Sequence, residues 1–136
     1  MVWSDIGRRP KAALIPEGDR SVPLNSCYVA RCPSASDALT LVALINSDVV
    51  AAWLGVIAEP ARGGYRRYMG WTMSILPVPR DWKRAQSILA PIARCATEGS
   101  VPDQMTLRHA VLEAYGVSES SILPLLEWGT GRPKTG

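Results

Sequence analysis

Apolar side chains recur at helical spacing from Ala38 to Ile57, and this segment dominates the hydropathy pattern of the chain. Intervals of three and four residues place its apolar positions on one side of a helix. The predicted core-facing positions are Leu39, Val42, Ile45, Val49, Trp53 and Val56. Further leucines and valines widen this surface beyond one stripe, which is typical of a helix buried on most sides. We expect one continuous helix that is capped at Ser34, ends at Pro60 and forms the centre of the core.

Two short apolar runs precede this helix, at Lys11–Pro16 and Ser26–Cys32. Both are rich in strand-forming residues and are bounded by prolines or small polar residues, as is typical of short strands. Alternation along the second run places Tyr28 on the strand face opposite to Cys27 and Val29. The pattern therefore predicts two strands, and the first ten residues show no clear element.

The pattern after the central helix predicts an extended arm followed by a helical tail. Thr72–Val78 is interpreted as a strand or extended arm, although Pro77 and Pro79 exclude a central position in a sheet. Helical spacing then returns in three segments, at residues 80–99, 103–116 and 118–128. The predicted fold class is α+β, with short strands packed on a buried central helix and a helical C-terminal tail.

The composition is that of a globular chain, since 47% of the 136 residues are hydrophobic and 20% are charged. We place one domain at residues 1–128 and a flexible tail at 129–136. No secretory signal is visible and there are three cysteines, which fits a cytoplasmic protein. Asp48 argues against a membrane span, because an aspartate at a bilayer centre costs about 2.5–3.5 kcal/mol. The cysteines and the single histidine lack the paired spacing of zinc ligands, so no metal site is predicted.

The charges are unevenly distributed, although the formal net charge is only +3. Residues 62–84 contain six basic side chains and a single acid, Asp81, whereas residues 35–61 contain three acids and no base. A basic block on a nearly neutral chain indicates a surface that faces a polyanion. A solvated basic surface without a partner is the alternative interpretation.

The sequence RGGYRRYMGW at Arg62–Trp71 combines residue types that bind nucleic acid. Consecutive glycines permit positive φ angles and close backbone approach. Arginines bind phosphates or guanine edges, and aromatic rings stack on bases. The candidate DNA contacts are Arg62, Gly63, Gly64, Tyr65, Arg66, Arg67, Tyr68, Trp71, Lys83 and Arg84.

Strand alternation would divide this segment into two faces. Tyr65 and Arg67 would point one way, and Arg66 and Tyr68 the other. One face could then read DNA while the other anchors the segment to the core. The competing interpretation is a Gly-Gly turn with exposed arginines and buried aromatic rings.

Three stretches of the chain together resemble a known family. They read LNSCYVARC, LVALINSDVVAAWLG and RGGYRRYMGWTMSILPVP. In order and spacing they are similar to the C-terminal target-recognition domain of adenine-N6 DNA methyltransferases of restriction–modification systems. The Leu-Asn-Ser helix motif of that family corresponds to Ile45-Asn46-Ser47, and its Leu-Pro-Ile-Pro-like exit to Leu76-Pro77-Val78-Pro79. A helix–Tyr-Gly-Leu–helix ending corresponds to Tyr115-Gly116-Val117, so the resemblance covers Lys11 to Trp128.

The resemblance implies a module that recognises double-stranded DNA. In that family the domain leans against a catalytic domain, so the implied protein partner is a separate methyltransferase subunit or a second copy of this chain in a homodimer. The chain departs from the whole enzymes because it has no Pro-Pro pair for a catalytic motif and no glycine-rich cofactor loop after a strand. We therefore expect no enzymatic activity, no cofactor and no binding of S-adenosylmethionine.

Two other functions stay open from the sequence. The domain could be a protein-interaction or oligomerisation module that keeps the fold without DNA binding. It could also be a small metal-dependent nuclease, because Asp81 and Lys83 have the Asp-x-Lys spacing of such sites. Asp48 or Glu59 would then be the first acid. A carboxylate at a helix start is the better explanation of Asp81.

Overall fold

The computed structural model describes residues 1–129 and shows an α+β fold, which confirms the predicted class. Within these residues, six helices accompany two small antiparallel sheets of three strands each. The predicted flexible tail lies outside the described residues, except for Gly129, which ends the last helix.

The elements follow one another in a fixed order along the chain. The strands are β1 (Val2–Ser4), β2 (Ile6–Gly7), β3 (Ala12–Ala13), β4 (Cys27–Val29), β5 (Glu59–Pro60) and β6 (Arg66–Arg67). The helices are α1 (Ala35–Asn46), α2 (Asp48–Ile57), α3 (Gly70–Ser74), α4 (Trp82–Thr97), α5 (Gln104–Tyr115) and α6 (Glu119–Gly129). A 3₁₀ turn at Arg62–Gly64 joins β5 to β6.

The first sheet has the strand order β3-β1-β4, and its central strand is absent from the sequence-based prediction. Strand β1 aligns Trp3 with Ala12 on one side and with Tyr28 on the other. The two predicted strands are confirmed as β3 and β4, each shorter than expected. Trp3 is buried, and its ring stacks on Tyr28 with 5.4 Å between the ring centroids. This aromatic contact gives a three-residue strand a packed core position.

The long apolar segment forms two helices, so the prediction of a single continuous helix is wrong. Between α1 and α2 the backbone of Ser47 is extended (φ −77°, ψ 151°), and the two helices bend by 72°. Ser47 is fully buried. Its hydroxyl donates to the Leu44 carbonyl at 2.7 Å and accepts from the Val50 amide at 3.2 Å. One serine thus ends α1 and caps α2, because its side chain competes with the helical hydrogen bonds of the backbone.

The bend divides the apolar segment into two helices that are each shorter than a membrane span. Within residues 1–129, no single helix is long and apolar enough to cross a membrane, and α1 and α2 reach that length only as a bent pair.

The core lies where α1 packs against α4 and α4 packs against α5, and α2 packs on α5 and α6. The predicted apolar face is buried at Leu39, Val42, Ile45 and Val49. The prediction is wrong towards the end of the segment, because Trp53 is only half-buried and Val56 is 51% exposed. The bend at Ser47 redirects the apolar face, so the spacing before it does not continue into α2.

The prediction of a strand or extended arm at Thr72–Val78 is wrong in its first part, because α3 extends to Ser74; Ile75 lies in a turn, and residues 76–78 have no assigned secondary structure. The Met73 amide donates to the Met69 carbonyl at 3.1 Å, and the Ser74 hydroxyl donates to the Trp71 carbonyl at 2.7 Å. These local hydrogen bonds hold the backbone of α3 in a helical turn without a partner strand.

The three helices predicted for the tail are confirmed as α4, α5 and α6. Asp81 caps α4 by accepting from the Arg84 amide at 3.0 Å, and Asp103 caps α5 by accepting from the Thr106 amide at 2.9 Å. Gly116 ends α5 in the left-handed region, with a φ of 68°. Caps and a terminal glycine are local signals, which explains why these boundaries could be predicted.

The Tyr115 phenol should make stability depend on alkaline pH. Burial raises its pKa to about 12, whereas an unfolded tyrosine titrates at about 10. Below about pH 10 the phenol is neutral in both the folded and the unfolded chain, so its contribution to the free energy of unfolding is fully present. As the pH rises towards 12 the unfolded chain loses this proton first, and the free energy of unfolding falls.

Between about pH 9 and pH 11 this group should remove about 1.4 kcal/mol from the free energy of unfolding. Urea denaturation at the two pH values measures the loss, with Tyr115→Phe as the control. The variant lacks the hydrogen bond to the Pro77 carbonyl at both pH values, so only the pH-dependent difference is compared. An equal loss in parent and variant would contradict the assignment.

Candidate nucleic-acid interface

The basic segment singled out by the sequence forms a β-hairpin. Strands β5 and β6 flank the 3₁₀ turn, and the Ala61 amide donates to the Tyr65 carbonyl at 2.7 Å. Gly63 and Gly64 have φ angles of 76° and 78°, which a residue with a β-carbon rarely adopts. The predicted positive φ angles are therefore confirmed, and the glycine pair makes the tight turn possible.

The side chains of this hairpin alternate as predicted. Tyr65 and Arg67 are exposed, whereas Arg66 is half-buried and Tyr68 is 1% exposed. The Tyr68 carbonyl accepts a hydrogen bond from the Trp3 indole at 2.8 Å, which ties the hairpin to the first sheet. Tyr68 thus belongs to the anchoring face, and its ring is not available to stack on a base.

The Arg66 side chain also points inwards, and one of its N–H donors is used within the protein. Its guanidinium donates from Nη1 to the Ala58 carbonyl at the end of α2, at 3.2 Å. A guanidinium has five N–H donors, so this single bond leaves capacity for another acceptor.

The outward residues carry both charge and an aromatic surface. Arg67 forms an ion pair with Asp5 at 2.7 Å, and this hydrogen-bonded carboxylate raises the pKa of the Arg67 guanidinium. Tyr65 is 41% exposed, and the guanidinium of Arg8 lies 5.4 Å from its ring centroid. Arg62 in the turn is exposed. Because Asp5 balances part of the charge of Arg67, Arg62 and Arg8 are the less compensated cations of this face.

The second sheet adds two arginines that the sequence interpretation missed. Its strand order is β2-β6-β5, and β2 pairs Ile6 with Arg67 and Gly7 with Arg66. This pairing brings Arg8 and Arg9, which follow β2, next to the hairpin. We call the resulting surface the arginine sheet; it consists of β2, β5 and β6 with Arg8, Arg9, Arg62, Tyr65, Arg66 and Arg67. The basic run GRRPK near the start of the chain is the signal that could have indicated it.

The other candidate contacts lie on helices. Trp71 is 54% exposed on α3. Lys83 and Arg84 are exposed in the first turn of α4, and Arg84 lies 3.5 Å from Glu113 of α5. Since α4 packs against α1 and α5, these two cations belong to the helical layer rather than to the arginine sheet.

Two acids of the nuclease alternative, Asp81 and Asp48, already make structural contacts. Asp81 caps α4, Arg108 binds Asp48, and Lys83 is exposed. Among residues 1–129, no group of three or more histidine, cysteine, aspartate or glutamate side chains is arranged to hold a metal ion.

Comparison with models of protein families, with curated proteins and with solved structures finds no match to this chain.

Proposed function

We propose that this domain binds double-stranded DNA through the arginine sheet and acts as a target-recognition module without catalysis of its own. The observation that carries the proposal is the convergence of five arginines and an exposed tyrosine on one small sheet. They come from two segments about fifty residues apart in the chain, so the sheet itself creates the cluster.

The charge balance of this surface supports a polyanionic partner. Five guanidiniums are accompanied by three carboxylates: Asp5 and Glu59 near Arg67, and Asp48 in a cavity that Arg8, Arg9 and Arg66 also line. Arginine binds phosphate through parallel N–H donors, and each neutralised phosphate releases counterions from the duplex. The association should therefore be steered by charge and weaken with salt.

The shape of the hairpin supports a duplex as the partner. A two-stranded ribbon fits the major groove of B-form DNA. The Gly63–Gly64 tip has no β-carbons, so its backbone can approach a groove wall closely. Tyr65 beside the tip offers a flat surface to sugar or base, held under the guanidinium of Arg8.

A protein-interaction module is the second candidate, and exposed apolar side chains favour it. Trp71, Ile75 and Val78 lie within eight residues of each other and are each more than half exposed. Exposed apolar side chains near each other are typical of a surface that meets another protein. A catalytic subunit or a second copy of the chain would suit the resemblance to a methyltransferase recognition domain.

A salt titration of duplex binding tests the proposal. We expect the affinity of the parent for a labelled duplex to fall steeply between low and moderate salt. Replacing Arg8 and Arg62 together by glutamine should reduce the slope of log K against log salt by about 1.8 units, about 0.9 for each lost phosphate contact. Anisotropy measurements at several salt concentrations give the slope.

The matched control replaces Arg31 and Arg94, two exposed arginines outside the arginine sheet. This control variant has the same net charge as the test variant, so it should retain the parent slope. Identical slopes in the two variants would contradict the assignment of the surface. No duplex binding at low salt, together with a dimer in sedimentation, would favour the interaction module instead.

A further inference from the structure

A cavity of about 340 Å³ opens on the inner side of the arginine sheet, bounded by α2 and α6. Its charged and hydroxyl-bearing lining residues are Arg8, Arg9, Asp48, Arg66, Tyr68 and Arg108. Four guanidiniums and one carboxylate therefore face the same space. Volumes of about 300–1000 Å³ are typical of small-molecule sites, so this cavity suits a small ligand.

The arginines of the cavity differ in how far the protein already neutralises them. Arg108 donates to Asp48 and to Glu119, so its charge is balanced by carboxylates. Arg66 has one hydrogen bond, to a backbone carbonyl, which supplies no countercharge. Arg9 is exposed and close enough to the Tyr68 phenol to act on it electrostatically. The excess positive charge thus belongs to Arg8, Arg9 and Arg66.

The Arg66 side chain lines the cavity beside Gly55 of α2. A β-carbon at Gly55 would lie 4.0 Å from Arg66 Nε, in ordinary van der Waals contact. The Tyr68 phenol also lines the cavity, and burial raises its pKa despite the two nearby arginines. It therefore stays protonated at neutral pH and can donate a hydrogen bond.

We propose that this cavity binds a phosphate monoester. A dianionic phosphate matches three guanidiniums and a phenolic donor, and guanidiniums form paired hydrogen bonds with phosphate oxygens. The chemistry is shared by two sources, a free nucleoside monophosphate and the 5′-phosphate at the end of a nucleic-acid strand. Arg8 borders both this cavity and the outer face beside Tyr65, whereas Arg66 and Tyr68 line the cavity from less exposed positions, so variants of Arg66 separate nucleotide binding from duplex binding.

Calorimetry with five probes tests the ligand class and its source. Adenosine 5′-monophosphate should bind, inorganic phosphate should bind more weakly, and adenosine should not bind. A tetranucleotide with a 5′-phosphate should bind at least ten times more tightly than the same tetranucleotide with a 5′-hydroxyl. If the phosphorylated tetranucleotide is tighter than the mononucleotide, the source is a strand end; if it is not, the source is a free nucleotide.

Variants assign the site to these residues. Arg66→Gln and Arg9→Gln should each weaken nucleotide binding at least tenfold, and Arg94→Gln, on the surface of α4, should leave it unchanged. Arg9 is exposed, so its replacement tests the site even if Arg66→Gln fails to fold. Binding of adenosine as tight as that of the monophosphate would overturn the proposal, as would unchanged affinity in Arg9→Gln or no saturable binding of the monophosphate at millimolar concentration. The Arg31 and Arg94 double variant should bind the nucleotide normally, whatever the outcome with duplex DNA.

Discussion

Replacing Trp3 by alanine should lower the free energy of unfolding by about 3–5 kcal/mol, the range for removing a buried tryptophan. The ring is 7% exposed and stacks on Tyr28 in the centre of the first sheet. Its indole also donates to the Tyr68 carbonyl of the hairpin, in a buried hydrogen bond. Truncation would leave a cavity in the core and an unsatisfied carbonyl where the two sheets meet.

Two further variants separate these contributions. Trp3→Phe keeps most of the apolar ring but loses the N–H donor, so it should cost about 1–3 kcal/mol. Trp71→Ala removes the same residue type from a position that is 54% exposed, and its cost should stay within about 0.5 kcal/mol. Urea denaturation measures all three. Similar losses for Trp3→Ala and Trp71→Ala would show that Trp3 does not join the sheets.

Trp3 also shows why part of this fold could not be predicted. Strand β1 has three residues, too few for alternation to stand out, and its partners are not adjacent segments: Ala12 lies 9 and Tyr28 lies 25 residues after Trp3. The predicted strands β3 and β4 had apolar runs bounded by prolines, which are local signals. Tertiary packing, rather than local propensity, therefore creates the central strand of the first sheet.

The helix boundaries also fall into those with a local sequence signal and one without. The boundaries of α4 and α5 depend on local caps such as Asp103 and Gly116, and they agree with the prediction. The break between α1 and α2 depends on Ser47, whose hydroxyl serves both helices from a buried position. A polar Asn-Ser-Asp sequence within apolar spacing is compatible with a continuous helix, so periodicity alone could not indicate the bend.

The sequence predicted those parts of the candidate site that depend on local strand geometry, and it missed those that depend on pairing between distant segments. The alternation of Tyr65 and Tyr68 across the hairpin follows from strand geometry. Arg8 lies beside the hairpin because β2 pairs with β6. The same pairing brings Asp5 to Arg67 and allows their ion pair. A register between segments about sixty residues apart has no signature in one sequence. The sequence therefore indicated the basic surface but neither its full extent nor the carboxylate that partly neutralises it.

Replacing Arg108 by alanine should lower the free energy of unfolding by about 3 kcal/mol, near the lower end of the range for breaking a buried ion pair. The guanidinium donates from Nε to Asp48 Oδ2 at 2.8 Å and from Nη1 to Glu119 Oε1 at 2.9 Å. These bonds connect α5 to the start of α2 and to α6. The Asp48 side chain is 17% exposed, and its Oδ1 has no hydrogen-bond partner among the described residues. Without Arg108, both oxygens of a largely buried carboxylate would lack a hydrogen-bonded cation, and such a loss is costly.

A matched arginine on the surface provides the control for Arg108. Arg84 also pairs with a glutamate of α5, but the distance is 3.5 Å and both side chains are more than half exposed. Solvent screens such a pair, so Arg84→Ala should cost at most about 1 kcal/mol. Adding Asp48→Asn to Arg108→Ala should recover part of the lost stability, because it removes the unpaired charge. Urea denaturation of the four variants, including Asp48→Asn alone, gives the coupling between the two residues. Equal costs for Arg108→Ala and Arg84→Ala, with no recovery in the double variant, would show that the carboxylate of Asp48 is solvated by water and does not depend on Arg108.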